Sequence, residues 1–302
     1  MQAHERFDVV VVGGGPAGLI GATYLARFRR SVLVIDDDRS RVAKIPRSHN
    51  YPAAVDGMAG AELLASLRRQ ADKYRIARKA GTVDELAQDA AGFRVSWAGR
   101  RIAASAVLLA TGASDIEPSM PHLSEALRDG ALRYCPVCDG FEVVGQAVGV
   151  IGDGPHGASE ALYLRHFTDR LTLFLASAHA PLSDADRRRL SEAGIACVVE
   201  PIRSIRLWHR RVTIVHGQAE TVCDSVYSAL GMRVHSDLAL RLGANVDEGG
   251  YLVTDKRQQT SVPALYAAGD VASGLNQITV AAGEAAIAAS AIHQALRSGS
   301  RA

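Results

Sequence analysis

The sequence of 302 residues has almost no net charge, no long apolar run and few cysteines. The formal net charge is only +2, so no excess of charge directs the protein towards nucleic acid or an acidic membrane surface. The longest apolar runs have the length of a strand and are too short to span a bilayer. Residues 1–6 lead directly into a strand-like run and show no signal-peptide pattern. We therefore expect a cytoplasmic protein that binds neither nucleic acid nor a membrane.

Only four cysteines are present, which suits the reducing cytoplasm. Cys135 and Cys138 form a CxxC motif, and in that compartment such a motif is more often redox-active or metal-binding than structural. A zinc site would need a second CxxC or an HxxxH. Cys197 and Cys223 instead stand alone, in or beside apolar strand-like runs. We expect them to be buried packing residues, and we expect no metal site.

The CxxC motif lies between two glycine-rich segments that match dinucleotide-binding fingerprints, residues 13–18 (GGGPAG) and 152–157 (GDGPHG). A dithiol beside a redox dinucleotide can take part in thiolate attack, disulfide exchange and electron transfer to or from the cofactor. The order of the three motifs therefore indicates a protein that moves electrons between a bound dinucleotide and a disulfide.

The first fingerprint belongs to a complete βαβ unit. Residues 7–12 are mostly β-branched and predict a buried parallel strand, residues 17–30 predict a helix, and residues 32–35 predict a second strand. The glycines allow a tight turn and the close approach of a pyrophosphate, while the helix N-terminus faces the phosphates. Asp36, at the tip of the second strand, has the position of an acid that binds a ribose, although the next two residues are also aspartates.

The same unit recurs later in the chain, with a strand at 148–151, a helix at 158–167 and a strand at 171–175. The glycines of the two fingerprints align without a gap, so that Gly13, Gly15 and Gly18 match Gly152, Gly154 and Gly157. We therefore predict an α/β fold with two doubly wound, Rossmann-like dinucleotide-binding domains.

The end of the chain is expected to complete the first domain. Residues 265–270 predict a strand comparable to the one at 106–113, and residues 281–296 predict a closing helix. The second domain is then an insertion in the first. We expect the first domain to comprise residues 1–115 and 246–302, and the second, which carries the CxxC motif, to comprise residues 116–245.

These motifs together resemble the low-molecular-weight thioredoxin reductases. The resemblance rests on the first fingerprint, the Ala-Thr-Gly-Ala turn at 110–113, the CxxCDG motif ahead of a second fingerprint, and the Ala-Gly-Asp-Val segment at 268–271. It covers nearly the whole chain. It implies FAD in the first domain, NADPH in the second, and a homodimer built on the FAD domain. It also implies that the domains rotate, so that the flavin meets NADPH in one pose and the disulfide in another.

The resemblance also assigns the FAD-binding residues. The first fingerprint would hold the pyrophosphate, Asp36 the adenosine ribose, and Asp270 would reach the ribityl and phosphate region. Residues 276–278 (Asn-Gln-Ile) stand where the family has Arg-Gln-Ala beside the flavin ring. The full set is Gly13, Gly15, Pro16, Ala17, Gly18, Asp36, Asn50, Thr111, Gly112, Ala113, Gly269, Asp270, Asn276, Gln277 and Ile278.

The resemblance implies distinct catalytic roles around the CxxC motif. Cys138 would face the flavin, and Cys135 would exchange with the disulfide or dithiol of a partner. Asp139 would supply or remove the proton, because a thiolate that leaves a mixed disulfide needs an acid nearby and a thiol needs a base. The alternative for Asp139 is a solvated turn carboxylate or a helix cap.

The second domain departs from the family at the end of its second strand. Members that use NADPH have His-Arg-Arg-x-x-x-Arg there, and its guanidinium groups clamp the 2′-phosphate. Residues 175–181 are Leu-Ala-Ser-Ala-His-Ala-Pro and include no arginine. No acid that would select NAD replaces them, since Leu175 has the position of Asp36. NADPH is therefore a doubtful cofactor. The candidate nicotinamide-dinucleotide site consists of Gly152, Gly154 and Gly157.

Two hypotheses follow for this domain. In the first, His179 or the cluster Arg187, Arg188 and Arg189 reaches the phosphate from another direction, although a charged face on a helix at 183–193 is more often only solvated. In the second, the domain orients the CxxC motif without binding nicotinamide. Electrons then enter from another donor, or flow outwards from a dithiol through FAD to oxygen.

The sequence therefore predicts an FAD-dependent disulfide oxidoreductase resembling thioredoxin reductase. Its partner would be thioredoxin, another redoxin, or a small disulfide or dithiol. One alternative is an FAD-dependent dithiol oxidase of the gliotoxin and holomycin type. That group also lacks the arginine motif but typically has His after the second cysteine, where this chain keeps Asp139. Another alternative is a flavoprotein redox sensor without turnover.

Overall fold

A computed structural model describes residues 5–176 and 182–299 of the chain. These residues form both strands and helices, and no helix among them is long and apolar enough to cross a membrane. The strands, in chain order, are β1 (Arg6–Val12), β2 (Val32–Asp36), β3 (Ala77–Ala80), β4 (Val83–Asp89), β5 (Gly92–Trp97), β6 (Arg100–Leu109), β7 (Ala113–Asp115), β8 (Leu132–Arg133), β9 (Val148–Gly152), β10 (Leu171–Leu175), β11 (Ala196–Val198), β12 (Ile202–Trp208), β13 (Arg211–His216), β14 (Ala219–Cys223), β15 (Ser225–Ala229), β16 (Met232–Val234) and β17 (Leu265–Ala267). The helices are α1 (Pro16–Arg27), α2 (Gly60–Lys73), α3 (Leu123–Arg128), α4 (Pro136–Asp139), α5 (Gly154–Leu164), α6 (Asp184–Glu192), α7 (Asp237–Leu240) and α8 (Ile278–Arg297). Short 3₁₀ helices lie at Arg41–Lys44 and Gly140–Val143.

The first sheet is built around β1. Its order is β3-β2-β1-β6-β5-β4, and β17 also pairs with β6. β4 and β5 form an antiparallel meander, whereas the pairs among β1, β2, β3, β6 and β17 are parallel. Val9, Val10 and Val11 are fully buried, because helices α1, α2 and α8 cover one face of β1 and residues of β4, β5 and 239–272 cover the other. The expected central parallel strand is confirmed.

Helix α1 packs on this sheet and ends earlier than the sequence predicts. The expected helix at 17–30 begins at Pro16 and ends at Arg27. Proline suits the first helical position, where its missing N–H needs no partner. Arg29 has a φ of 62°, a left-handed conformation that cannot continue an α-helix. The helix therefore stops one turn short of the expected end.

The second sheet repeats the doubly wound pattern. Its order is β11-β10-β9-β15-β8, and all its strand pairs are parallel. Helix α5 packs on β9 and β10 but begins at Gly154, four residues before the expected start at 158. Pro155 lies in its first turn, so part of the glycine fingerprint is helical. The two sheets, each with its own fingerprint turn and helix, confirm the predicted fold class.

A three-stranded antiparallel meander, β12-β13-β14, packs against the second sheet. Ile205, Val212 and Ile214 from the meander share an apolar core with Ile151 and Phe174 of the sheet. Of this meander, the sequence indicated only the strand-like run at Cys223, which is the end of β14; β12 and β13 were not expected.

The two cysteines outside the CxxC motif differ in exposure. Cys223, at the end of β14, is buried as expected, whereas the expectation that Cys197 is buried is wrong, because it is exposed. Cys197 lies on β11, the edge strand of the second sheet, which has a neighbour on one side only. In the described segments, no group of three or more His, Cys, Asp or Glu side chains is arranged to hold a metal ion.

The chain connects the two sheets through a pair of short strands. β7 follows the first sheet, β16 follows the second, and the two pair antiparallel, with Ala113 opposite Val234. β17 then joins β6 of the first sheet, with Leu265 opposite Val107. The second dinucleotide fold is therefore inserted into the first.

Candidate functional site

A cavity of about 840 Å³ extends from the carboxyl end of the first sheet to the CxxC motif. Every residue of the predicted FAD set lines it except Gly18, and so do Cys135, Cys138 and Asp139. The strand order reverses between β1 and β6, and doubly wound sheets place their ligand sites at the carboxyl ends of strands at such a reversal. The fold thus brings residues predicted from distant parts of the chain to one cavity.

The first fingerprint turn has no space for side chains at two of its glycines. Gly13 has a φ of 106°, and a Cβ atom there would overlap the carbonyl oxygen of Ala110. A Cβ atom on Gly18 would overlap the carbonyl oxygen of Gly13. Gly18 therefore lies behind the turn and lets α1 approach it closely, while the turn itself lines the cavity.

We expect Gly18→Ala to destabilise the protein by about 1–3 kcal/mol, because the new methyl group overpacks a rigid backbone contact. Urea unfolding of the flavin-loaded protein would measure this change. Gly283→Ala is the matched control. Gly283 lies within α8 with no atom near the position of a Cβ, so the same substitution should stabilise the helix by about 0.5–1 kcal/mol. Equal unfolding midpoints for the two variants would contradict the packing argument.

Asp36 lies at the mouth of this turn, and all three aspartates at 36–38 have basic neighbours. Asp37 accepts hydrogen bonds from Arg39 at 2.6 and 2.9 Å. Arg68 is ion-paired with Asp38 and also lies 3.8 Å from Asp36. Asp36 lines the cavity at the end of β2, where the sequence places the ribose-binding acid.

Arg41 also lines the cavity, although no sequence motif marks it. Its guanidinium donates to Asp115 at 2.6 and 2.8 Å and to Asp270 at 3.2 Å. Burial opposes the charge, but the two carboxylates raise the pKa of Arg41 above its usual value. These partners are 74 and 229 residues away in sequence, so only the fold brings them together.

Cys135 and Cys138 form a disulfide in this structure, with Cα atoms 5.3 Å apart across the start of α4. The amide nitrogen Nε2 of Gln277 lies 3.2 Å from the sulfur of Cys138 and 3.5 Å from that of Cys135. Asn50 donates to the Gln277 side-chain oxygen at 2.9 Å and to the Val137 carbonyl at 3.4 Å. Two residues predicted to lie near the flavin thus contact the redox pair and its loop.

Asn276 contributes a polar atom that has no protein partner in the described residues. Its side-chain nitrogen donates to the hydroxyl of Tyr251 at 3.2 Å. Its Oδ1 atom is buried and accepts no hydrogen bond. A buried acceptor in a cavity wall is expected to be satisfied by a bound group.

Asp139 is held by two donors that the sequence did not reveal. Arg133 donates to its Oδ2 at 2.8 Å, and the hydroxyl of Tyr227 donates to its Oδ1 at 2.7 Å. Burial raises the pKa of Asp139 above its usual value, and the charge of Arg133 and the bond from Tyr227 oppose this rise. The two donors favour a partnered, half-buried carboxylate over the solvated turn carboxylate of the alternative interpretation.

The second fingerprint forms a compact turn outside this cavity. Gly152 and Gly157 pack directly on each other, since a Cβ atom on Gly157 would lie 2.8 Å from the carbonyl carbon of Gly152. Leu175, at the end of β10, is buried, and the next residue, Ala176, is exposed. The rest of the segment aligned with the arginine motif, Ser177, Ala178, His179, Ala180 and Pro181, lies outside the described residues.

The basic cluster of α6 is on the surface. Arg187, Arg188 and Arg189 are all exposed, and Arg189 is ion-paired with Asp186 one turn earlier at 3.3 Å. The expected helix at 183–193 is confirmed as Asp184–Glu192, with Ser183 as its N-cap. The cluster therefore has the geometry of a charged, solvated helix face.

Comparisons with known proteins agree with this arrangement. The chain is 29% identical to the thioredoxin reductase of Treponema pallidum over 94% of its own length and 95% of that protein. The crystal structure of HlmI is 30% identical, with a TM-score of 0.88, over 96% of this chain and 92% of that one. The thioredoxin reductase structure from Streptococcus pyogenes MGAS5005 is 25% identical, with a TM-score of 0.88, over 98% and 100% of the two chains. The family model described as pyridine nucleotide-disulphide oxidoreductase matches residues 7–285. The chain therefore belongs to the pyridine nucleotide-disulphide oxidoreductases and is an enzyme similar to thioredoxin reductases over nearly its whole length.

Proposed function

We propose that this enzyme exchanges electrons between FAD and the Cys135–Cys138 disulfide, and onward to a redoxin or a small disulfide. The proposal rests on the position of Gln277. It belongs to the segment predicted to lie beside the flavin ring, and its amide contacts both sulfur atoms of the disulfide. The redox pair therefore lies against the part of the cavity proposed to hold the ring.

The lining of the cavity suits FAD. The turn at 13–18 has no room for side chains at Gly13 and Gly18 and leaves backbone N–H groups at the start of α1 for a pyrophosphate. Asp36 offers a carboxylate to a ribose. The unsatisfied Oδ1 atom of Asn276 can accept a hydrogen bond from a bound group. When bound, FAD would supply a carrier of two electrons beside the disulfide.

The residues of the CxxC motif have separate roles in the proposed exchange. A substrate thiolate attacks the sulfur of Cys135, the bond to Cys138 breaks, and Cys138 leaves as a thiolate. In the opposite direction, the thiolate of Cys135 attacks the disulfide of a partner. Asp139 takes up or returns the proton in each case. The sulfur of Cys138 is the nearer of the two to Gln277, in keeping with its proposed place towards the flavin.

We propose a thioredoxin-like protein or a small disulfide or dithiol as the partner. Apolar side chains are exposed around the redox pair, with Val137, Phe141 and Val144 exposed by 43%, 80% and 58%. Such a group offers an apolar contact surface to a molecule that approaches Cys135. For the donor, we propose a reductant other than NADPH, because Leu175 and Ala176 replace the first two residues of the phosphate clamp.

The domain division and the assembly are also proposals. The sequence places the second domain at residues 116–245, between residues 1–115 and 246–302 of the first. Because Ala239 and Ala244 pack in the core of the first sheet, we propose that the chain returns to the first domain close to β16, earlier than residue 246. The family resemblance supports a cytoplasmic homodimer built on the FAD domain.

The proposal is tested by mixing a small dithiol anaerobically with the oxidised, FAD-loaded protein. We expect the flavin absorbance to be bleached without any nicotinamide, as electrons pass through Cys135 and Cys138. Steady-state turnover with thioredoxin or a small disulfide would then separate an enzyme from a redox sensor. Failure to bind FAD, or a flavin that no dithiol reduces, would defeat the proposal. Rapid reoxidation by oxygen with dithiol turnover would identify a dithiol oxidase.

A further inference from the structure

Arg133 and Tyr227 reach Asp139 from two adjacent parallel strands of the second sheet. Arg133 ends β8 and Tyr227 lies in the middle of β15, and the two residues are direct partners in the strand register. Paired residues of neighbouring strands point to the same face of a sheet. The guanidinium and the phenol therefore project side by side towards the helix that carries the redox pair.

The two donors occupy both oxygens of one carboxylate. Arg133 donates to Oδ2 at 2.8 Å, and Tyr227 donates to Oδ1 at 2.7 Å. The Tyr227 hydroxyl also lies 3.1 Å from the backbone carbonyl of Asp139. Tyr227 is fully buried, so its hydroxyl has little freedom to turn away. The carboxylate is thus fixed in place at the residue that follows Cys138.

We propose that Arg133 and Tyr227 are positioning residues that hold the carboxylate of Asp139 and set the pH range in which it exchanges a proton with the thiols at the redox pair. This inference rests on the proposed function, because it assigns to these residues a part in thiol–disulfide exchange. Neither residue is required to touch the substrate or the sulfur atoms.

Asp139 takes part in the exchange as the acceptor and donor of one proton. A substrate thiol gives its proton to the Asp139 carboxylate, and the resulting thiolate attacks the sulfur of Cys135. A bond forms between the substrate sulfur and Cys135, the bond between Cys135 and Cys138 breaks, and its electron pair leaves with Cys138. The reverse step returns the proton from Asp139 to the departing substrate thiolate. One proton and one electron pair are thus moved in each direction.

The groups around Asp139 act on it with opposite signs. Burial raises its pKa, and the negative charge of Glu142 adds to this rise, whereas Arg133 and Tyr227 lower the pKa. Glu160, on α5, is a further acid in this cluster; burial and the charge of Asp139 raise its pKa to about 7. Burial and the charge of Asp139 also raise the pKa of Tyr227, so its phenol stays protonated and remains a donor.

The test compares variants in which these groups are removed singly. Tyr227→Phe keeps the buried ring and removes only the hydroxyl, and Arg133→Gln removes the positive charge. Both should raise the pKa of Asp139. The rate at which a small dithiol bleaches the flavin rises with pH as Asp139 loses its proton, and this limb of the pH profile should move to higher pH. On the acidic side of that limb, we expect a loss of rate of about tenfold or more, which disappears as the pH rises. The dithiol titrates in the same way in every assay. Its effect therefore cancels when the bleaching rate of each variant is divided by that of the unchanged protein at the same pH.

Glu142→Gln is the control of opposite sign. It removes a negative charge that raises the pKa of Asp139, and it should move the limb to lower pH. The carboxyl carbon of Asp139, followed by NMR in protein with ¹³C-labelled aspartate and assigned through Asp139→Asn, should titrate in the same direction in each variant. This second measurement needs no turnover, so it remains informative if no dithiol reduces the flavin.

The outcomes are distinct. Upward shifts in Tyr227→Phe and Arg133→Gln with a downward shift in Glu142→Gln support the positioning role. If both donor variants show the pH profile and the Asp139 titration of the unchanged protein, the inference is wrong, whatever the protein's activity. A uniform loss of rate at every pH, with an unshifted Asp139 titration, would reduce Arg133 and Tyr227 to structural residues.

Discussion

Cys138→Ser is expected to abolish disulfide turnover while FAD stays bound. A serine oxygen cannot replace sulfur in a disulfide, so no electron pair can pass between the flavin and Cys135. By comparison with other removals of an essential nucleophile, we expect a loss on the order of 10³-fold or more. Cys135→Ser should have the same effect, because it removes the sulfur that meets the substrate. Steady-state assays with a disulfide or dithiol substrate, together with the flavin absorbance spectrum, measure both parts of the prediction.

The chain provides matched controls for these variants. Cys197 is exposed on an edge strand, and Cys223 is buried, where burial raises the pKa of its thiol to about 12. Neither lines the cavity. We expect Cys197→Ser and Cys223→Ser to retain turnover and the disulfide, which alkylation and mass spectrometry can locate. Retained turnover in Cys138→Ser would remove that residue from the mechanism.

The parts of the fold that the sequence predicted are those determined by local patterns. Gly13, Gly18 and Gly157 leave no room for a side chain against the backbone around them, and the apolar runs of β1, β9 and β10 lie in the expected positions. The order of these units was enough to predict the insertion, because the first sheet needs a late strand, which is β17.

Element ends were less predictable because they depend on single backbone conformations. α1 stops where Arg29 turns left-handed, and nothing in the pattern of residues 17–30 marks that position. α5 begins inside the fingerprint, since glycine and proline in its first turn are compatible with a helix as well as with a loop.

The residues missed in the site depend on tertiary contacts. Arg41 meets Asp115 and Asp270 only in the folded chain. Tyr227 meets Asp139 across 88 residues, through the register of β8 with β15. In sequence Tyr227 looks like an ordinary apolar strand residue, and its hydroxyl reaches Asp139 only because the sheet directs it there. The CxxCDG motif was visible in the sequence, whereas the groups that surround its acid were not.

NADPH is expected to reduce the flavin slowly, only at high concentration, and with little advantage over NADH. The 2′-phosphate of NADPH is normally bound by several guanidinium groups. Here Ala176 is a small exposed residue after the buried end of β10, and the three arginines of α6 form a solvated face. Losing two or three charge-assisted hydrogen bonds, each worth about 1.5–3 kcal/mol, weakens binding by several orders of magnitude. Stopped-flow absorbance under argon, with each nicotinamide in turn, measures the rates directly.

Two variants test whether the missing arginines cause the slow reduction by NADPH. The double variant Ala176→Arg and Ser177→Arg restores two arginines of the family's motif, and it should accelerate reduction by NADPH while leaving NADH almost unchanged. Arg188→Ala, on the exposed face of α6, should change neither rate, because that face makes no contribution to a phosphate site. Rapid bleaching of the unchanged protein by micromolar NADPH, with NADH far poorer, would contradict the prediction. If Arg188→Ala then abolished that preference, the basic cluster of α6 would have taken over the clamp, and NADPH would be the donor after all.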